Sequence, residues 1–274
     1  MARTAVISDI HGNLVALKAV LADIEERGVD RIVCLGDIIG YGPEPTACLD
    51  MVRERCEFAL MGNHDFAVLY EPTSFNTSAE QAAFWTRKQF EQEPDPAKRR
   101  ERWEYLGNLL IRRWDHGSLW VHASPRRPIN EYIFPDDVVS APNKMHQIFD
   151  RVRTRCYVGH THQPGVFTDE PDFYPPGDLG GAYTFLEGEK CIINPGSVGQ
   201  PRDRDPRASY AVLDEPDAET TEASGAEGGA SEVDGPRAKV VFHRVEYDVE
   251  SVVAHVAQIN ELSDFLGQRL LEGR

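Results

Sequence analysis

Five short blocks of the chain place carboxylates, imidazoles and an amide close together: Asp9-Ile10-His11-Gly12-Asn13, Gly36-Asp37, Gly62-Asn63-His64-Asp65, Val121-His122 and Gly159-His160-Thr161-His162. These side chains offer oxygen and nitrogen donors of the kind that divalent manganese, iron, zinc, nickel or cobalt select. A carboxylate can also bridge two cations. In Asp9-x-His11 an extended backbone would send both side chains to one face, where both reach one ion, and His160-x-His162 repeats the arrangement. Each block alone has a plainer reading. A lone histidine near a strand end is commonly a hydrogen-bonded surface group, Gly-Asp is usually a turn, and Gly-Asn-His-Asp is a polar turn. The five together, each set against an apolar run, point to a dinuclear metal site.

The elements that must position these blocks are legible as alternating patterns. Thr4–Ile10, Arg31–Gly36 and Glu57–Met61 are short apolar runs that read as buried strands. Between them, Asn13–Arg27 carries Leu14, Leu17, Leu21 and Ile24 at helical spacing, and Glu44–Arg55 reads as a second helix. This alternation predicts an α/β fold with a buried sheet. Ligands in such folds gather at the carboxyl ends of strands, so distant blocks would converge on one edge. Residues 78–113 predict a helical insertion, two helices broken near Pro94-Asp95-Pro96, which would cover the sheet or act as a lid. Ser118–Ala123 and Arg155–Gly159 return to strand character. Tyr183–Leu213 predicts further strands with turns at Gly188 and Pro195-Gly196. Residues 215–236 predict a disordered acidic loop between two strands, the second being Ala238–Tyr247. Val249 to Leu270 has the spacing of one amphipathic C-terminal helix.

Length and composition fit a single domain over 1–274, with 41% hydrophobic and 27% charged residues. No apolar run approaches the ~20 residues of a membrane span. The start of the chain runs straight into strand pattern with no secretory signal, so a cytoplasmic location is expected. Cys34, Cys48, Cys56, Cys156 and Cys191 are scattered and read as reduced thiols, mostly buried. The net charge is −16, and the seven acids of 215–236, with no base among them, leave the rest of the chain at −9. An acidic body repels a phosphate backbone and argues against broad nucleic-acid binding, yet it admits a small phosphorylated substrate if metal ions supply positive charge.

In order and type the five blocks resemble the pattern DxH, GD, GNH[D/E], H, GHxH of the calcineurin-like metallophosphoesterase superfamily. The resemblance implies a four-layer sandwich, two mixed β-sheets flanked by helices, and a pair of divalent ions, manganese first among them. By position it would give Asp9, His11 and His162 to one ion, Asn63, His122 and His160 to the other, and Asp37 to both. Gly36–Pro45 (GDIIGYGPEP), Val121–Pro125, Asn194–Arg202 and Asp205–Tyr210 resemble the bacterial diadenosine-tetraphosphatase-like or phosphodiesterase-like branch. The arginine that follows the GD block in the related Ser/Thr protein phosphatases is missing, since Ile38-Ile39-Gly40-Tyr41 stands there.

The implied activity is hydrolysis of a phosphodiester or dinucleoside-polyphosphate bond by a metal-held hydroxide. His64 would donate a proton or hydrogen bond to the leaving oxygen, and Asp65 would support it or simply start a helix. Asn13, Arg126, Ser197 and Arg202 are candidate substrate contacts, Asn13 having an N-cap as its equal alternative. Trp85, Trp103 and Trp114 are core residues first and base-stacking candidates second. The alternatives are a phosphomonoesterase, including a phosphoprotein phosphatase, and a non-catalytic scaffold of the same fold. Retention of His64 and every implied ligand argues against the scaffold. A homo-oligomer stays open, with the GDIIGYGPEP loop and the C-terminal helix as candidate contact surfaces.

Overall fold

The computed structural model describes residues 2–216 and 237–274, and most of the predicted acidic loop lies outside them. Its first residue, Glu215, is strand: it ends β11 and accepts a hydrogen bond from Arg155 at 2.8 Å. Two six-stranded sheets make the frame. The first contains β1 (Ala2–Ile7), β2 (Arg31–Cys34), β3 (Phe58–Ala59), β9 (Ala182–Thr184), β11 (Ala208–Glu215) and β12 (Lys239–Val245), in the order β3-β2-β1-β11-β12-β9. The second contains β4 (Arg112–Asp115), β5 (Ser118–Val121), β6 (Arg155–Tyr157), β7 (Gly165–Thr168), β8 (Asp172–Tyr174) and β10 (Cys191–Asn194), in the order β4-β5-β6-β10-β7-β8. Both are mixed: β1 pairs parallel with β2 and antiparallel with β11, and β10 pairs parallel with β6 and antiparallel with β7.

Side chains of a strand alternate between faces, and both faces here are apolar. In β1 and β2, Ile7, Ile32 and Cys34 face a helical layer, whereas Val6 and Val33 face the other sheet. In β5, β6 and β10, Trp120, Tyr157 and Ile193 point to the inter-sheet core, and Leu119, Cys156 and Ile192 point outward to a second helical layer. The first helical layer comprises α1 (Leu14–Glu26), α2 (Pro45–Arg55), α3 (Asn63–Leu69), α4 (Thr77–Glu91) and α5 (Pro96–Gly107). The second is α6 (Asp137–Ser140) and α7 (Pro142–Phe149). The result is helix, sheet, sheet, helix, the expected four-layer sandwich.

Three element predictions are corrected. The insertion is helical only to Gly107, and Arg112 and Arg113 already belong to β4, which turns back through His116-Gly117 to pair with β5. The single C-terminal helix is two, α8 (Val249–Ala257) and α9 (Asp264–Gln268), followed by a 3-10 turn over Arg269–Glu272. Both helices pack on Ala82 and Trp85, which keeps the apolar spacing continuous across the break. The GDIIGYGPEP loop offers no contact surface, because it is almost wholly buried within the chain. No helix among the described residues is long and apolar enough to cross a membrane.

Candidate metal centre

All five blocks leave the carboxyl ends of strands: Asp9 after β1, Asp37 after β2, Asn63 after β3, His122 after β5, and His160 and His162 after β6. The backbone there is not extended, as the DxH and HxH readings assumed. Asp9, His11, Asp37, His160 and His162 have φ of +54°, +50°, +50°, +65° and +61°. Side chains other than glycine enter this left-handed region at a cost of roughly 1–3 kcal/mol each, and only where surrounding structure over-determines them. Here the loops are laced together. Asp9 N donates to Gly36 O at 3.0 Å, His11 N to Asp37 O at 2.9 Å and Gly199 N to Asp9 O at 3.0 Å. His160 N donates to both Asp9 carboxylate oxygens at 3.2 and 3.1 Å, and His64 N donates to Asp37 Oδ1 at 2.8 Å. Two glycines make the approach possible: a Cβ on Gly62 would stand 2.0 Å from Asp37 Oδ1, and one on Gly159 2.5 Å from Asp9 Oδ2.

The donor atoms fall into two groups sharing one residue. Ligand atoms of Asp9, His11, Asp37 and His162 lie within 4.8 Å of one another, as do those of Asp37, His122 and His160, and all six residues are buried. Asn63 Oδ1 joins the second group, 3.3 Å from His122 Nε2. Two backbone carbonyls fix the tautomers. His162 Nδ1 donates to Gln200 O at 2.6 Å and His122 Nδ1 to Leu35 O at 3.0 Å, so each ring turns its Nε2 inward. His162 Nε2 lies 3.2 Å from Asp9 Oδ1 and 3.2 Å from His11 Nε2, and His122 Nε2 lies 3.4 Å from Asp37 Oδ2. His160 Nε2 is buried without a partner among the described residues. Carboxylates and imidazoles crowded this closely need positive charge among them, and the chemistry of this donor set fits divalent metal.

The electrostatics of the protein groups agree. Burial opposes the charge of Asp9 and Asp37, but His162 holds Asp9, and His122, His64 and His11 hold Asp37, below the ordinary carboxylate range. Burial lowers His11 and His162, and takes His160 down to about 3. His122 goes the other way: burial opposes its charge, yet Asp37 lifts it to about 9. A proton there stands where a cation would, which is the same demand for positive charge in another form.

His64 is buried beside the first group, its ring centroid 4.8 Å from that of His11, 4.2 Å from Tyr41 and 4.6 Å from Phe75. Burial lowers its pKa to about 4. Arg202 donates to Gln200 Oε1 through Nε at 3.3 Å and Nη2 at 2.6 Å, and has no carboxylate partner among the described residues.

Four other expected site residues are occupied otherwise. Asp65 accepts from the backbone amides of Ile38, Ile39 and Gly62 at 3.0, 3.2 and 2.9 Å, so it braces the Asp37 loop and starts α3, the second of the two roles its position allows. Burial, then Asp37, push its pKa up to about 7. Asn13 is the N-cap of α1, accepting from Ala16 N at 3.0 Å, and donates to Gly199 O at 3.0 Å. The Ser197 hydroxyl is buried, donating to Asp9 O at 2.7 Å and accepting from Gln200 N at 2.8 Å. Arg126 is ion-paired with Glu131 and bonded to Gln147.

None of the three tryptophans joins the centre. Trp85 packs under α8 and α9, Trp103 lies 5.1 Å from Phe90, and Trp114 stacks under Arg153. The rings that do reach it, Tyr41, Phe75 and Tyr132, were missed. Only Tyr41 carried a signal, its place in GDIIGYG, while Phe75 and Tyr132 sit in loops without a motif.

The model of the calcineurin-like phosphoesterase superfamily domain matches residues 3–218. An uncharacterized protein of Methanocaldococcus jannaschii is 37% identical over 98% of both chains. The crystal structure of a metallophosphoesterase from Sphaerobacter thermophilus is 37% identical, superposes with a TM-score of 0.76 and covers 100% of this chain and 99% of that one. A hypothetical protein from Pyrococcus horikoshii, 20% identical with a TM-score of 0.70 over 100% and 99% of the two chains, shares the fold. A family model spanning most of the chain and relatives matching it end to end agree with the buried Asp and His cluster: the chain belongs to the calcineurin-like phosphoesterase superfamily and is a metal-dependent hydrolase of phosphate esters.

Proposed function

We propose that the protein hydrolyses a phosphodiester or dinucleoside-polyphosphate bond with two divalent ions. The observation that carries this reading is the pair of donor groups sharing Asp37. Asp9, His11 and His162 would hold one ion and Asn63, His122 and His160 the other, with Asp37 common to both. When bound, such ions supply an ionised water as nucleophile at neutral pH and neutralise charge growing on the phosphoryl oxygens.

The chain's own residues do the rest. Gln200 O and Leu35 O hold His162 and His122 in the tautomer that offers Nε2. His64, with a pKa of about 4, is neutral at pH 7 and presents a ring N–H towards the leaving oxygen rather than a full proton. The negative charge of a bound ester raises that pKa and moves the ring towards acting as an acid. Arg202, with no carboxylate partner among the described residues, is a donor for a non-bridging phosphoryl oxygen. The missing guanidinium after Gly36-Asp37 favours a diester, with its single negative charge, over a monoester dianion.

The test is turnover of bis-p-nitrophenyl phosphate and p-nitrophenyl phosphate by metal-stripped protein, with and without added Mn²⁺. Manganese is expected to restore hydrolysis, with the diester preferred. His64→Ala is expected to cut kcat about 10²–10⁴-fold while metal content stays unchanged. Preference for the monoester would overturn the diester reading, and metal loss in His64→Ala would overturn the role given to His64.

A further inference from the structure

A cavity of about 480 Å³ opens beside the second donor group, with Asn63 and His160 at its inner end. Its volume lies in the ~300–1,000 Å³ range of small-molecule sites. Phe66, Phe75, Ile111 and Tyr132 line it. Two of these rings are braced by the site's histidines: Tyr132 stacks on His160 at 3.9 Å and 21°, and Phe75 packs on His64 at 4.6 Å. The residue before Phe75, Ser74, holds φ of +66°, a conformation that costs energy and sets where Phe75 goes. Ile111 and Tyr132 are 51% and 39% exposed, so this apolar wall is open to a ligand from solvent. Polar groups sit among the rings. The side chains of Glu71, Asn130 and Arg127 also line the cavity, and none is hydrogen-bonded or ion-paired to another side chain among the described residues.

We propose that this cavity binds the nucleoside part of the substrate ester, the base lying among Phe66, Phe75 and Tyr132 with Glu71, Asn130 and Arg127 reading its edge. The inference rests on the phosphoesterase reading for its orientation, since a phosphoryl group at the centre places its substituent here. Aromatic faces hold any base, at about 1–3 kcal/mol per base stacked. Glu71, Asn130 and Arg127, exposed at the cavity's rim, offer donors and acceptors that the edge of a base can use and a purely aliphatic or acyl substituent cannot.

Non-hydrolysable phosphonates test this without relying on turnover. The 5′-methylenephosphonates of adenosine, guanosine and uridine, benzylphosphonate and methylphosphonate would be titrated calorimetrically into the Mn²⁺-loaded protein. The best nucleoside phosphonate is expected to bind about tenfold or more tighter than methylphosphonate, and tighter than benzylphosphonate. Ile111→Glu, at a half-exposed position, should cut that preference to about threefold or less while the Kd for methylphosphonate stays within about twofold. Asn130→Ala should narrow the margin of nucleoside over benzyl. Equal binding of all five ligands, a benzyl affinity equal to the best nucleoside, or a preference untouched in both variants would overturn the proposal. Because no ligand is cleaved, nucleoside preference in a protein that hydrolyses no ester would leave the cavity's role standing and count against the esterase reading alone.

Discussion

At the scale of single residues, the centre depends on the backbone that aims its ligands. Aspartate, histidine and asparagine in five ordered blocks identify donors, but the turn that aims them is a left-handed backbone held by bonds between distant loops, such as His11 N to Asp37 O and Gly199 N to Asp9 O. Local spacing cannot show that. The same blindness explains Ser197 and Arg126, read as substrate contacts because they stand beside the blocks, whereas for Asn13 the N-cap alternative holds. Ala16, Gln200 and Glu131 are partners near in sequence, whereas the bonds of Asn13 to Gly199 and of Ser197 to Asp9 span 186 and 188 residues and no local pattern shows them. His64 supports a prediction on pH. Burial depresses its folded value from 6.5 to about 4. An unfolded chain takes up the proton first, so the stability His64 contributes is complete above pH 6.5 and is lost as pH falls through about 4. The loss approaches roughly 3 kcal/mol at full expression. Denaturant titrations of metal-stripped protein at pH 7.5 and 4.5 should show wild type losing about 2–3 kcal/mol more than His64→Asn over that interval. Equal losses would mean that His64 is solvated and not held neutral by burial.

At the scale of elements, strands and helices that alternate along the first third of the chain declared themselves, because β1 and β2 are apolar on both faces and α1 carries one apolar stripe. The hairpin of β7 and β8 escaped notice, being short and half-exposed in its second strand. The break between α8 and α9 escaped for the opposite reason, since both segments serve one apolar cluster and preserve the spacing. The joint between α1 and the loop after β10 bears on function. Asn13 caps the helix and ties it to Gly199, whose own amide holds Asp9 in its left-handed turn. Asn13→Ala removes the cap and leaves Gly199 O unpaired, an expected cost of about 2–3 kcal/mol in urea unfolding. Asn13→Ser, which keeps the cap and loses only the tie, should fall between. A cost for the alanine variant below about 0.5 kcal/mol would show that the joint does not hold the loop.

At the scale of the whole molecule, periodicity announced buried strands but not that two sheets would face each other. Phe58 of the first sheet meets Trp120 of the second edge-on at 5.8 Å, a core contact of residues far apart in sequence, and the sandwich follows only from the family resemblance. The architecture explains why blocks from residues 9 to 162 meet. The parallel run β1, β2, β3 in one sheet and β5, β6 in the other end on the same edge, and the loops leaving them interlock there. An acidic chain of net charge −16 concentrates its demand for cations at that edge, where Asp37 stands between two groups of histidines. The proposed hydrolysis requires two ions sharing one carboxylate. Diffraction from crystals soaked in Mn²⁺ and measured at the manganese absorption edge tests it directly. Two anomalous peaks are expected, one among Asp9, His11, Asp37 and His162, the other among Asp37, Asn63, His122 and His160, and both should vanish in Asp37→Ala. A single peak, or two peaks that survive loss of Asp37, would contradict the shared centre.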